Sequence, residues 1–138
     1  MDGRGFASAL ALGASAASLG TAFLHCPEAG TSAPYRAALR DARDDATVIT
    51  RAFSGRAARG LANRFTREMA AAPLAPYHVQ NSLTREMRTA SARRGDAGLL
   101  SLWAGQAAAL AREVPAGELV AQIIREAEAV LARLAPES

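Results

Sequence analysis

Four short clusters in this sequence carry residue types that can do chemistry. Ser18-Leu19-Gly20-Thr21 sets a position without a side chain between two hydroxyls. Consecutive backbone N–H groups beside a hydroxyl form the concavity that holds an anion such as a phosphate. The plainer alternative is a glycine where a strand runs out into a loop. Arg51, Arg56, Arg59 and Arg67 form a second group; Arg56, Arg59 and Arg67 share one face of an expected helix with Asn63. Such a stripe could grip phosphates, or stand as a solvated basic face with Arg51 or Arg56 in an ion pair. The third group is Tyr77, Gln80, Trp103 and Gln106, aromatic faces and amides of the kind that line a ligand pocket. Gln106 shares a face with Trp103 and Leu110, where a polar side chain needs a partner; the alternative puts Trp103 in the core with Gln106 hydrogen-bonding a neighbouring loop. Last come His25, Cys26 and His78. Two isolated histidines without an acidic partner at ligand spacing do not make a metal site, and adjacent residues rarely face each other, so these read as structural.

These clusters need elements to position them. Arg4–Leu12 is expected to be a short helix closed by Gly13. The small apolar run Ser15–Leu24 fits a buried strand that opens at Gly20-Thr21. After a loop punctuated by Pro27 and Gly30, Ser32 caps a helix with Pro34 in its first turn, running to about Arg43 with Tyr35, Ala38 and Leu39 inward. The β-branched run Thr47–Thr50 predicts a short strand. Ser54 is a good cap for a helix from Arg56 to about Ala71, with Leu61, Phe65 and Met69 inward. A further helix is expected from His78 to Arg93 with Val79, Leu83 and Met87 on its buried stripe. Leu99, Leu102, Trp103 and Leu110 mark another. The last helix follows Pro115 and carries a 3.6-residue apolar stripe from Leu119 to Leu134.

Composition bounds the function. The chain has 138 residues, a formal charge of +3 and no lysine among its 16 basic residues. Without a long basic run, that mild charge argues against a nucleic-acid partner. A single cysteine excludes an internal disulfide framework and agrees with a reducing, cytoplasmic setting. Residues 1–26 imitate a secretory signal, but Asp2 offsets Arg4 and Gly13 and Gly20 interrupt the apolar stretch. No run is long or apolar enough to span a membrane.

Ordered blocks across nearly the whole chain resemble one family. DGRGFASALALGASAASLGTAFL is similar to the last barrel segment of the nitronate monooxygenases, formerly 2-nitropropane dioxygenases. Asp2, Gly3, Arg4, Gly5, Gly13, Ala14, Gly20, Thr21, Ala22, Phe23, Leu24, Pro27 and Glu28 all fall in register with the family pattern. The resemblance continues through TRAFSGRAARGLANRF, APYHVQNSLT and SLWAGQAAALARE. It departs from the pattern at Ser15-Ala16-Ala17-Ser18, where the family has Gly-Val. The resemblance implies a mostly α chain: the last helix–strand–helix of a (β/α)₈ TIM-barrel flavoenzyme over residues 1–45, then a helical segment over 46–138 covering the pocket.

A barrel of this kind typically needs about 250 residues, so the sequence reads as a fragment. It implies FMN as cofactor, with Ser18, Leu19, Gly20 and Thr21 holding the phosphate and Tyr77, Gln80, Trp103 and Gln106 lining the pocket. The implied reaction takes alkyl nitronates and O₂ to carbonyl compounds and nitrite, the protein supplying anchoring and a basic histidine upstream of this sequence. The implied partners are therefore a small nitronate, O₂ and the rest of the barrel, in the same or a separate chain, with no nucleic acid and no membrane. Two alternatives remain: a fragment of a related flavin enoyl-acyl carrier protein reductase, and a small helical module binding nucleic acid or protein through the arginine stripe. The fragment alone is expected to be inactive.

Overall fold

The computed structural model describes residues 2–135. Its described residues fall into two compact units, one made of residues 2–30 with 110–135 and the other of 31–109. The chain's last helix returns to its first, which places both in one unit.

In the first unit, α1 (Gly3–Ala11) begins at Asp2, whose side chain accepts from the Gly5 N–H at 3.2 Å and pairs with Arg4 at 2.7 Å. Burial opposes ionisation of Asp2, but the Arg4 and Gly5 hydrogen bonds outweigh it and hold the carboxyl below its usual range. The helix ends just before Gly13, as its sequence implies. The last helix of the chain, α5 (Ala116–Leu134), packs along α1. Leu119, Ile123 and Ala127 are its buried residues, at i, i+4 and i+8. Leu119 and Ile123 form a core with Ala22 and Cys26, against which Phe6, Leu19 and Phe23 pack. The buried stripe is narrower than the sequence suggests: Val120, Ile124, Leu131 and Leu134 face outward. Glu28 Oε1 accepts the Ala116 N–H at 3.0 Å, satisfying one of the open donors at the start of α5.

The expected strand at 15–24 is not formed. Residues 21–23 make a 3₁₀ turn instead, and residues 15–20 find no ladder partner among the described residues. A strand is an agreement between two segments, and small apolar side chains alone do not supply the second one.

In the second unit, α2 (Ala33–Arg40) starts after Ser32 with Pro34 in its first turn, and stops three residues earlier than expected. Leu39 is buried, and the Tyr35 hydroxyl donates to the Trp103 carbonyl; burial pushes its pKa up to about 12. Strand β1 (Thr47–Thr50) forms as predicted and pairs antiparallel with β2 (Ala58–Leu61), with Thr47 opposite Leu61 and Thr50 opposite Ala58. The other side of β2 meets residues 102–104: Leu61 N–H donates to Leu102 O at 2.8 Å and Ala104 N–H to Arg59 O at 3.2 Å.

The helix expected from Arg56 to Ala71 is therefore a correction. Residues 58–61 are strand, and only α3 (Arg64–Glu68) is helical, capped by Asn63 rather than Ser54. Asn63 and Thr66 form a reciprocal capping box, while Asn63 Nδ2 donates to Ala97 O and Leu100 O at 3.0 and 2.8 Å. Tight packing at Phe53, whose ring lies 4.9 Å from Phe65 and 5.6 Å from Trp103, forms the core with Ala52. The helix expected around Leu99–Leu110 is also absent. It is replaced by 3₁₀ turns at Ala97–Leu99 and Gln106–Leu110 flanking extended chain, because residues 102–104 are recruited by β2.

Helix α4 (Val79–Arg93) has the expected limits, but of the expected stripe only Met87 turns inward, against the Phe53 core. Val79 and Leu83 are 53% and 69% exposed, whereas Gln80, Thr84 and Ser91 are buried. Each buried polar side chain donates to a loop carbonyl: Gln80 to Ala52 O, Thr84 to Phe53 O, Ser91 to Asp96 O, at 2.6–2.7 Å. Residues 52 and 53 lie beyond the ladder, so their carbonyls need side-chain donors, and α4 turns its polar face inward to supply them.

Candidate functional site

The segment Ser18–Thr21 lies on the first unit, held by its apolar neighbours. Leu19 and Phe23 pack against the Ala22–Cys26–Leu119–Ile123 core, which leaves Ser18 and Gly20 exposed. Gly20 has φ −107° and ψ −63° and opens the 3₁₀ turn; its carbonyl accepts the Phe23 N–H at 3.0 Å. The N–H groups of Ser18, Leu19 and Gly20 donate to no acceptor among the described residues. Nothing lies within 4 Å of where a Gly20 side chain would begin. Unpaired amides around an open, side-chain-free position suit an anion such as a phosphate.

The arginines do not assemble. Arg56, Arg59 and Arg67 share no helical face: Arg56 lies in the turn after Phe53, Arg59 on β2 and Arg67 on α3. Arg59 donates to Thr47 Oγ1 at 3.1 Å across the ladder, and the Arg56 guanidinium stands 5.1 Å over the Tyr77 ring. The turn carrying Arg56 depends on Gly55, at φ +81°, where a Cβ would meet Ala75 O and Tyr77 N at 2.8 Å. Two of the sequence blocks, SGR and APYH, are thus packed directly on each other.

Of the third group, Gln80 is fully engaged by backbone, since its Oε1 also accepts the Ala75 N–H at 3.1 Å. Trp103 sits edge-on to Phe53. Tyr77 and Gln106 are exposed, Gln106 at the start of its 3₁₀ turn and not on a buried helical face. The four residues therefore hold different posts within the second unit: Gln80 braces two loops, Trp103 fills core, and Tyr77 and Gln106 face outward.

His25 and Cys26 are buried in the first unit. His78 precedes α4 with φ +76° and ψ −53°, a strained backbone conformation for a residue with a side chain, and its ring lies 4.0 Å from that of Tyr77. Among the described residues no group of histidine, cysteine or carboxylate side chains could hold a metal ion, and no helix is long and apolar enough to cross a membrane.

One feature that composition did not signal is an open cleft of about 560 Å³ in the second unit, lined by residues of β1, α3 and the chain following α3. Its residues all lie between positions 48 and 74, and the pairing of β1 with β2 folds the two ends of that stretch together.

A family model described as nitronate monooxygenase matches residues 1–126. The chain is 47% identical over 129 residues to the nitronate monooxygenase of Pseudomonas aeruginosa, covering 91% of this chain and 37% of that protein. It is 48% identical over 130 residues to the nitronate monooxygenase of Paraburkholderia phytofirmans, covering 91% and 35%. Among solved structures it is similar to nitroalkane oxidase from Streptomyces ansochromogenes, with a TM-score of 0.93 at 45% identity over 98% of this chain and 39% of that one. It is also similar to FabK from Thermotoga maritima, with a TM-score of 0.74 at 33% identity over 96% and 43%. The chain spans 35–37% of the length of these two curated relatives.

Proposed function

The chain belongs to the nitronate monooxygenase family, and from that membership we propose that it is the carboxyl-terminal part of an FMN-dependent enzyme oxidising alkyl nitronates with O₂ to carbonyl compounds and nitrite. The observation that carries this reading is the family match over residues 1–126, joined to a TM-score of 0.93 with nitroalkane oxidase. The remaining, larger part of a (β/α)₈ barrel is then the principal partner, whether in the same polypeptide or another. Residues 1–45 are then the end of the barrel, and residues 46–138 the helical segment that follows it. A cytoplasmic location suits this reading.

The amides of Ser18, Leu19, Gly20 and Thr21 hold the FMN phosphate. Unpaired N–H groups at residues 18–20 support this role, as does the open space at Gly20. Bound FMN supplies the redox chemistry, and the chain's own residues anchor and orient. Tyr77 and Gln106, both exposed, stand open to a ligand, while Trp103 packs on the Phe53 core and Gln80 braces two loops. His25 is buried and His78 sits in a strained turn, and neither matches the family's catalytic histidine. The segment alone is therefore expected to turn over no nitronate.

Grafting residues 1–138 in place of the corresponding segment of the Pseudomonas aeruginosa nitronate monooxygenase tests the reading. The chimera should retain flavin absorbance, consume O₂ with an alkyl nitronate and release nitrite. A folded, flavin-loaded chimera that leaves nitronates untouched and reduces an enoyl thioester instead would overturn it in favour of the reductase branch.

A further inference from the structure

The cleft in the second unit has a chemistry of its own. Its walls are apolar: Val48 and Ile49 of β1, then Ala52, Met69 and Leu74. At about 560 Å³ it lies within the roughly 300–1,000 Å³ range of small-molecule sites. Ile49 is 65% exposed at this cleft, a large apolar side chain that water covers poorly.

The polar lining is nearly all engaged. Thr50 Oγ1 accepts the Ala52 N–H at 3.0 Å, and Thr66 Oγ1 is held by Asn63 in the α3 capping box. What is left are the guanidiniums of Arg51 and Arg67, both exposed and both lining the cleft. Neither side chain has an ion pair or hydrogen bond among the described residues, and no carboxylate lines the cleft. Apolar walls take an alkyl body, and uncompensated guanidiniums take an anion whose oxygens match their fork.

We infer that this cleft binds a medium-chain carboxylate, its tail against Val48, Ile49, Met69 and Leu74 and its head at Arg51 and Arg67. The site is built from residues 48–74 alone. It stands whether or not the flavin reading does.

Titration of the 138-residue chain with sodium octanoate, octanol and octyltrimethylammonium separates the head from the tail. Octanoate should bind at least about tenfold more tightly than octanol, as expected for charge-assisted hydrogen bonds, and the ammonium should bind weakest. The double variant Arg51→Gln, Arg67→Gln alters exposed side chains without protein partners, so its circular dichroism should match the parent. It should bind octanoate no better than octanol. Ile49→Asp, also at an exposed position, should weaken both. A diazirine-bearing octanoate should label peptides within residues 48–74. Equal affinity for octanoate and octanol, no octanoate binding by the folded chain, or labelling elsewhere would each overturn the inference. The nitronate of nitrooctane separates the two readings: binding no tighter than octanoate supports a carboxylate site. Clearly tighter binding would assign the cleft to the oxidation reaction and remove it.

Discussion

Gly3 and Glu126 approach so closely that a Cβ placed on Gly3 would stand 2.2 Å from the Cβ of Glu126. The Gly3 N–H donates to Glu126 Oε2 at 2.9 Å, and Glu126 Oε1 pairs with Arg112 at 2.6 Å. The first turn of α1 is thereby fastened to the middle of α5, across nearly the full length of the sequence.

The Gly3→Ala variant follows directly. The added methyl also meets the Ala127 N at 2.5 Å and the Ile123 carbonyl at 2.7 Å, so the two helices must part. We expect a loss of about 1–3 kcal/mol, the usual range for overpacking, in urea denaturation. Gly117→Ala is the control: nothing lies within 4 Å of that position in the first turn of α5, and it should leave stability equal or raise it by up to about 1 kcal/mol. Equal losses from both would show that close approach at Gly3 is not the cause.

The same contact makes stability depend on pH. The Arg112 hydrogen bond first, and then the Gly3 N–H, hold the Glu126 carboxyl below its ordinary value of 4.5 in the folded chain. Its folded pKa is depressed, so its contribution is present above pH 4.5 and is lost as pH falls through the folded value. The lowered Asp2 carboxyl acts in the same direction, below its ordinary value of 3.8. Unfolding midpoints measured from neutral pH down to about pH 3 should fall less steeply in Glu126→Gln than in the parent. Parallel curves would mean that Glu126 is not linked to folding.

Gln80 offers a test of structure against pocket. Its amide donates to Ala52 O at 2.7 Å and accepts from Ala75 N at 3.1 Å. Removing it in Gln80→Ala leaves two backbone groups without partners, at an expected cost of about 2–4 kcal/mol. Thr84→Val removes the bond to Phe53 O, with a longer one to Asn81 O, and should cost about 1–2 kcal/mol. Chemical denaturation of both variants gives the ranking, and a Gln80→Ala variant as stable as the parent would contradict the bracing role.

At Gly20 the expected effect is on binding rather than stability. Its φ of −107° suits any residue and the space around it is open, so Gly20→Asp should change stability by no more than about 0.5 kcal/mol. A carboxylate there would repel a phosphate. In the chimera with the Pseudomonas aeruginosa protein, flavin absorbance after gel filtration should be lost. Full flavin retention would take the phosphate away from this segment.

Several features were legible in the residues alone, because each rests on neighbours close in the chain. Helix α1, stopping short of Gly13, the strand Thr47–Thr50, and the limits of α4 and α5 follow from caps, β-branching and 3.6-residue spacing. So did the family, carried by ordered blocks that need no contacts to be read. Tertiary structure decided the rest. Residues 58–61 became strand because β1 and residues 102–104 bond them from both sides, overriding a helical pattern through Leu61, Phe65 and Met69. Residues 15–20 stayed irregular for want of such a partner. The inward face of α4 was set by the loose carbonyls of Ala52 and Phe53, which need donors more than Val79 and Leu83 need burial. The arginine stripe dissolved with the helix that was to carry it. Periodicity reports the pull of apolar side chains away from water. It is silent about backbone groups left unpaired by distant segments, and here those groups chose which faces are buried.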